Sequence, residues 1–319
     1  MNQPGSSEQD QVPEKNQCPD RGETRVSITE VKRKIFWRNL IIILLVCLLA
    51  LSYLPRGFEY LTRPAANIPG SNNVIKRQTP AGVMQVSVSK AGKKYRALTV
   101  DLKTANLALF YRDENKKPFR SFDQLDKWPA AKSERLVFAT NAGMFGKDFF
   151  PLGLHVENGN VLQNIHIPKN RNKTDADAVV GNFDLPHNGV FRVQEGKAAI
   201  VETRQLANVQ DWGSVQLATQ SGPMLLIDGA INPGFNENSG NLKIRSGVGI
   251  IDENTVVFVI SDEPVSFYDF ALIFKEQFNC GNALFLDGAI SKMYIYENDG
   301  DNIDEAVFAG MLAITIPKN

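Results

Sequence analysis

The sequence predicts an α+β fold: a single mainly antiparallel-sheet domain with a few helices, preceded by one N-terminal transmembrane helix. Three observations carry this. After residue 80 the chain is dominated by short alternating or β-branched runs separated by turn residues. Only two segments in that stretch have helical spacing together with helix start signals. Near the N-terminus an apolar run of 15 residues, Leu40–Leu54, contains no charge.

Taken in order, residues 1–34 are a polar tail. The run LIIILLVCLLALSYL, extended by Ile35, Phe36 and Trp37, brings residues 35–54 to ~30 Å of helix, the thickness of a bilayer core. Arg38 and Asn39 reach the interface from that helix. Lys32, Arg33, Lys34 and Arg38 crowd its N-terminal flank, against the more dispersed Arg56 and Arg63 on the other side. The positive-inside bias therefore places Met1 in the cytoplasm and the rest of the chain beyond the membrane. A polar stretch of more than 30 residues before the apolar run, with no A-x-A site after it, favours an uncleaved signal anchor over a signal peptide. The expectation is a single-pass inner-membrane protein with a periplasmic or otherwise extracytoplasmic C-terminal domain.

Residues 55–79, with Pro64, Pro69, Gly70, Ser71, Asn72 and Asn73, read as a linker or stalk, so the domain occupies 80–319. Within it Val83–Ser89, Tyr95–Asp101 and Leu107–Arg112 are strands, and MLAITIP closes the chain as a last strand. Ser121 and Gln124 stand at capping-box spacing ahead of one helix; Ser266–Phe278 is the other, ending before Gly281. Asn158-Gly159 and Glu195-Gly196 are hairpin turns. No fixed-period repeat is present, which excludes solenoids and propellers.

Charge narrows the partners. The chain has 35 basic and 35 acidic residues, so nothing in its net charge of +0 suits nucleic acid, and a small molecule or another surface is the expected partner. Cys18, Cys47 and Cys280 fall in tail, anchor and domain, which excludes a disulfide within the domain. His155, His166 and His187 lack the short spacing of a helix-borne zinc site, no G-x-S-x-G elbow occurs, and no cofactor is required.

Four segments share a hydrophobic strand that runs into a glycine-containing polar turn: Leu136–Gly146, Ala218–Leu226, Ile244–Ile250 and Ala283–Tyr294. Such ends hold side chains rigidly while glycine lets a ligand approach, so four of them can line one pocket. The same segments, in this order and spacing, resemble the phosphodiester glycosidase family. Asn141-Ala142-Gly143-Met144-Phe145 is similar to that family's Asn-Gly-Gly-Phe/Met-Phe, Arg245-Ser246-Gly247-Val248-Gly249 to its Arg-Thr-Ala-x-Gly, and Leu286-Asp287-Gly288 to the start of its Leu-Asp-Gly-Gly-Gly-Ser. Two departures stand out: Ala142 at the second position of the first motif, and Ala289-Ile290-Ser291-Lys292 where better-known members have glycines and then serines. Together they point to a bacterial branch of the family, with a substrate different from that of the better-known members.

The resemblance implies hydrolysis of the bond between a sugar's anomeric carbon and a phosphodiester, here in the cell envelope. Arg245 would grip phosphate oxygens through charge-assisted hydrogen bonds. Asp287 would activate water or stabilise an oxocarbenium-like centre, with Asp262 as the second carboxylate. Asn141, Ser221, Gly288 and Ser291 would bind sugar hydroxyls or phosphate oxygens. The alternative, motivated by the residues after Gly288, is a non-catalytic envelope module that binds a glycan or a protein on the same fold.

Overall fold

Period-two alternation from residue 83 onward becomes strand in nearly every place it occurs. The computed structural model describes residues 75–78, 82–130, 133–167, 187–286, 290–299, 303 and 306–318, all within a unit spanning Pro69–Asn319. The expected tail and anchor, Asp287 and Gly288 lie outside the described residues, so the membrane segment expected over 35–54 does too. Among the described residues no helix is long and apolar enough to cross a membrane.

The elements run β1 (Ile75–Gln78), β2 (Val83–Lys90), β3 (Lys93–Asp101), β4 (Leu107–Phe110), α1 (Phe122–Ala130), β5 (Glu134–Asn141), β6 (His155–Glu157) and β7 (Asn160–Gln163). They continue with β8 (Gly189–Gln194), β9 (Lys197–Glu202), a 3-10 turn at Thr203–Leu206, β10 (Val215–Ser221), β11 (Met224–Ile227) and β12 (Ala230–Ile231). The last part is β13 (Ser246–Asp252), β14 (Thr255–Ser261), α2 (Phe267–Phe278), β15 (Asn282–Leu286), β16 (Met293–Ile295), α3 (Tyr296–Asp299) and β17 (Met311–Pro317). β1 falls inside the stretch read as stalk: it pairs antiparallel with β2, so the sheet begins ahead of Pro80.

Three antiparallel sheets result. The largest has the order β1-β2-β3-β14-β13-β15-β11-β12; a five-stranded sheet is ordered β7-β6-β10-β8-β9 and a four-stranded one β16-β5-β17-β4. Tight turns with both central residues at positive φ join several hairpins. They include the expected Asn158-Gly159 and Glu195-Gly196, and also Ala91-Gly92 and Asp228-Gly229.

Alternation along the central strands splits the core into layers. One face of the large sheet, including Leu98, Val248, Phe258, Leu284 and Leu286, packs against Phe138 and Leu312 of the four-stranded sheet and Phe191 and Leu217 of the five-stranded one. Phe258 is the keystone of this layer, with ring centroids 4.9 Å from Phe138 and 6.1 Å from Phe191. The opposite face, including Val257, Val259 and Phe285, is covered by Phe270, Ile273 and Phe274 of α2. Each such side chain stabilises the fold by roughly 1.5–3 kcal/mol on burial. Ser266 caps α2 as its spacing predicts, accepting from the Asp269 N–H at 3.0 Å, and Asn279 ends the helix in the left-handed conformation. Ser121 accepts from the Gln124 N–H at 3.2 Å and so starts α1 in the same way.

Candidate functional site

The ends of β5, β13 and β15 meet where the large and four-stranded sheets converge, and one asparagine ties them together. Asn141, the last residue of β5, is 1% exposed. Its Oδ1 accepts from Ser246 Oγ at 2.9 Å and from the Lys292 N–H at 3.0 Å. A backbone N–H can only donate, so the atom facing Lys292 must be the amide oxygen, and Nδ2 is left as the group to present to a ligand. Among the described residues its one hydrogen-bond contact there is a long 3.5 Å one to the Ala142 carbonyl.

Ser246 opens β13 and is fully buried. Its Oγ also lies 3.0 Å from the Leu286 carbonyl at the end of β15, and its N–H donates to Ser291 Oγ at 3.0 Å. Thr140 Oγ1 donates to the Lys292 carbonyl at 2.9 Å. Residues 291 and 292 are thereby pinned from both sheets.

The second segment joins through backbone contact. The Gly143 N–H donates to Thr219 Oγ1 at 3.0 Å, and a Cβ on Gly143 would fall 2.1 Å from the Gln220 carbonyl oxygen, which only glycine permits. Ser221 follows Gln220 at the end of β10. It is 0% exposed, and its Oγ has no hydrogen-bond partner among the described residues. After it comes the cis Gly222-Pro223 peptide, whose Pro223 carbonyl accepts from the Phe285 N–H at 3.2 Å. The four segments singled out in the sequence therefore converge, linked by direct hydrogen bonds.

Arg245 takes the other face of the strand, as alternation next to Ser246 requires. Its guanidinium carbon sits 3.7 Å from the Phe267 ring centroid and 5.5 Å from that of Phe285, at 2% exposure. Nε donates to the Val265 carbonyl at 2.8 Å and Nη2 to the Asn241 carbonyl at 2.9 Å, while the backbone N–H donates to Ser261 Oγ at 3.0 Å. Among the described residues no carboxylate lies within ion-pairing distance of it. Burial alone therefore pulls its pKa down to about 10, leaving a charged guanidinium at neutral pH with no counter-ion among the described residues.

Asp262 is not brought to this cluster. It turns outward at the end of β14, where its carboxylate accepts from Arg96 Nε at 3.1 Å, and Arg96 reaches Asp299 at 3.6 Å. Glu263, the neighbouring acid, accepts from the Lys94 N–H at 2.7 Å. The histidines are dispersed. His155 is buried with Nε2 2.8 Å from Glu157 Oε1, while His166 is tied through its backbone to the side chain of Gln220. Among the described residues no group of three His, Cys, Asp or Glu side chains is placed to hold a metal ion.

Two residues of the site escaped sequence reasoning in their roles. Ser246 stood inside a recognised motif without a role of its own. Gln220 proves to be a buried hub, its Oε1 accepting from Leu154 and His166 N–H groups at 3.0 and 2.9 Å. A buried polar residue beside a glycine turn was the available signal for both.

Comparison with known proteins agrees with this arrangement in extent. The sequence profile of the phosphodiester glycosidase family matches residues 134–312, which begin at β5 and end within β17. The uncharacterized protein YigE of Escherichia coli (strain K12) is 32% identical over 200 residues, covering 63% of this chain and 74% of that protein. Among solved structures, a hypothetical protein from Synechocystis superposes with a TM-score of 0.49 at 14% identity. That match covers 77% of this chain and spans 64% of the Synechocystis protein's length. The catalytic domain of zebrafish N-acetylglucosamine-1-phosphodiester alpha-N-acetylglucosaminidase, auto-inhibited by its pro-peptide, gives a TM-score of 0.47 at 14% identity, covering 79% of this chain and 86% of that domain.

Proposed function

The chain belongs to the phosphodiester glycosidase family, and from that premise we propose that it cleaves the glycosidic bond of a sugar-1-phosphodiester or a related envelope glycan. The observation that carries the reading is the convergence of the four motif segments on Asn141, with Arg245, a buried guanidinium without a carboxylate partner among the described residues, immediately before Ser246 of that cluster. A positive charge kept out of water and left unneutralised favours an anion, and a phosphodiester supplies one. Three of its five N–H donors remain beyond the two given to Val265 and Asn241.

In the proposed step a water oxygen bonds to the anomeric carbon as the carbon–oxygen bond to phosphate breaks. The electron pair leaves with the phosphate, giving the free sugar and a phosphomonoester. Phosphate leaves with little protonation, so the demand falls on water activation and on the oxocarbenium-like carbon. Asp287, the residue after Leu286, is assigned that work. Asn141 Nδ2, Ser221 Oγ and Gly288 are assigned to the substrate. Ser291 already accepts from the Ser246 N–H, so it acts through the second lone pair of its oxygen or by holding the wall. Asp262 serves as a second acid only on leaving Arg96.

We place this domain, residues 80–319 with β1 added, outside the cytoplasm, held by residues 35–54. A reporter enzyme active only in the cytoplasm, fused after Asn319, is expected to be silent; activity there contradicts the orientation.

The chemistry is tested by incubating the protein with sugar-1-phosphodiesters in oxygen-18 water. Label in the sugar supports attack at carbon; label in the phosphate means attack at phosphorus instead. The second reading, a non-catalytic binding module, is favoured by one observation: Asn141 Oδ1 and Ser291 Oγ are already engaged within the protein. Glycan binding without product, unaffected by Asp287→Asn, would establish it.

A further inference from the structure

A second cleft, of about 530 Å³, opens at the opposite end of β5, where Arg135 stands six residues before Asn141, or ~20 Å along an extended strand. Its volume lies in the range of ~300–1,000 Å³ usual for small-molecule sites. The walls come from α1, the start of β5, the β16–α3 corner and Lys318.

The charges in this cleft are unevenly satisfied. Asp123 is paired with Lys127 at 2.7 Å, and Asp126 accepts from the Leu136 N–H at 3.2 Å. The cations opposite them are not. Arg135 lies with its guanidinium carbon 4.8 Å from the Tyr296 ring centroid, and its buried Nε has no hydrogen-bond partner among the described residues. Lys318 donates its backbone N–H to the Ser133 carbonyl, and among the described residues no carboxylate pairs with its ammonium. A guanidinium N–H hidden from water without an acceptor is costly, and because the hidden Nε is closed to a ligand as well, a ligand oxygen meets the Nη edge, which pairs with no carboxylate among the described residues. The ring beneath it fixes the guanidinium plane, which suits a planar or tetrahedral oxyanion approaching edge-on.

We propose that this cleft is an accessory site for a small molecule bearing an oxyanion, phosphate or carboxylate, such as a phosphorylated or acidic monosaccharide. Arg135 and Lys318 hold the anion, and the Asp123 and Asp126 side of the cleft faces the neutral hydroxyl-bearing body. The site stands apart from the Asn141–Ser246 cluster and does not depend on the reaction proposed there.

The test is calorimetric titration of the full-length protein with glucose 6-phosphate, glucuronate and glucose. Saturable binding of at least one charged probe, with glucose at least tenfold weaker, is expected. Arg135→Gln and Lys318→Ala should each weaken that binding at least tenfold. Phosphate-only or glucuronate-only binding identifies which oxyanion the site takes. No binding of either charged probe, equal binding of glucose, or affinities unchanged in both variants would overturn the proposal. Lys318 is exposed near the C-terminus, so its variant decides the matter if Arg135→Gln fails to fold.

Discussion

Asn141 and Ser246 sit on different sheets, and the 2.9 Å hydrogen bond between their side chains joins the four-stranded sheet to the eight-stranded one at the candidate site. Ser246→Ala removes a buried hydroxyl that contacts both Asn141 Oδ1 and the Leu286 carbonyl. Removing this hydroxyl, whose single proton serves two buried acceptors, should cost about 1–3 kcal/mol. Thermal denaturation should show a midpoint some 2–10 °C lower, and turnover should fall further than stability because Asp287, the proposed acid, is the next residue after Leu286 in the sequence. An unchanged midpoint would show that the two sheets are joined by other contacts.

Arg245 should matter for substrate and hardly at all for folding. Burial lowers its pKa to about 10, well below the usual guanidinium value, a penalty of about 3 kcal/mol. Its two hydrogen bonds to backbone carbonyls contribute about 1.5–3 kcal/mol each, so the terms nearly offset. Arg245→Met is expected to keep its denaturation midpoint within a few degrees while losing at least a hundredfold in kcat/KM on a phosphodiester. A variant that unfolds, or that turns over normally, removes the assignment.

The same arginine fixes a pH dependence. Its folded pKa lies below the unfolded one, so the unfolded chain binds more protons above pH about 10, and this group's contribution to stability rises with pH there and is lost as pH falls through 10. Its grip on an anion runs the other way, because the guanidinium is charged below about 10 and discharges above. Inhibition by inorganic phosphate, measured between pH 7 and 10.5, should weaken at the upper end in the wild type and stay flat in Arg245→Met.

Asp287 and Asp262 are separable by substitution. Asp287→Asn is expected to lower kcat by ~10²–10⁴, the range of a lost general base. Asp262→Asn breaks a partly exposed ion pair with Arg96, worth ~0–1 kcal/mol, and should leave kcat within tenfold. Equal losses in both would make Asp262 the second acid of the reaction and require it to swing inward from Arg96.

Cys280 is buried beside α2, and burial pushes its thiol up to about 12. Its folded pKa exceeds the unfolded value of 9.0, so its contribution to stability is complete below pH 9 and is lost as pH rises through about 12. Iodoacetamide labelling of the Cys280 peptide, followed by mass spectrometry, should track global unfolding. Rapid labelling of the native protein would show the thiol to be accessible.

Much of this architecture was legible before any coordinates. Strand β17 coincides with MLAITIP, β2 and β3 fall within two residues of their expected ends, and Ser121 and Ser266 cap the two helices that their spacing announced. Local chemistry decides such features. β1 was missed because Ile75–Gln78 lies among prolines, glycine and asparagines and is held by β2 rather than by its own propensity. At the site, the glycine turns marked which segments would meet. They did not reveal that Asn141 Oδ1 and Ser291 would be consumed in holding the sheets together, or that Asp262 would face Arg96.

The sequence by itself determined strands β2, β3 and β17, the two capped helices, the Asn158-Gly159 and Glu195-Gly196 turns, the four converging segments and the family, because each rests on periodicity, capping or residue order within a short stretch. Only the tertiary structure decided which side chain faces which. Asn141 and Ser246 are 105 positions apart, and whether they touch depends on how two sheets stack and on the strand parity that sends Ser246 to one face and Arg245 to the other. That parity follows from pairing register, which is set by long-range packing of Phe258, Leu284 and Leu286 against Phe138 and Leu312 rather than by any local signal.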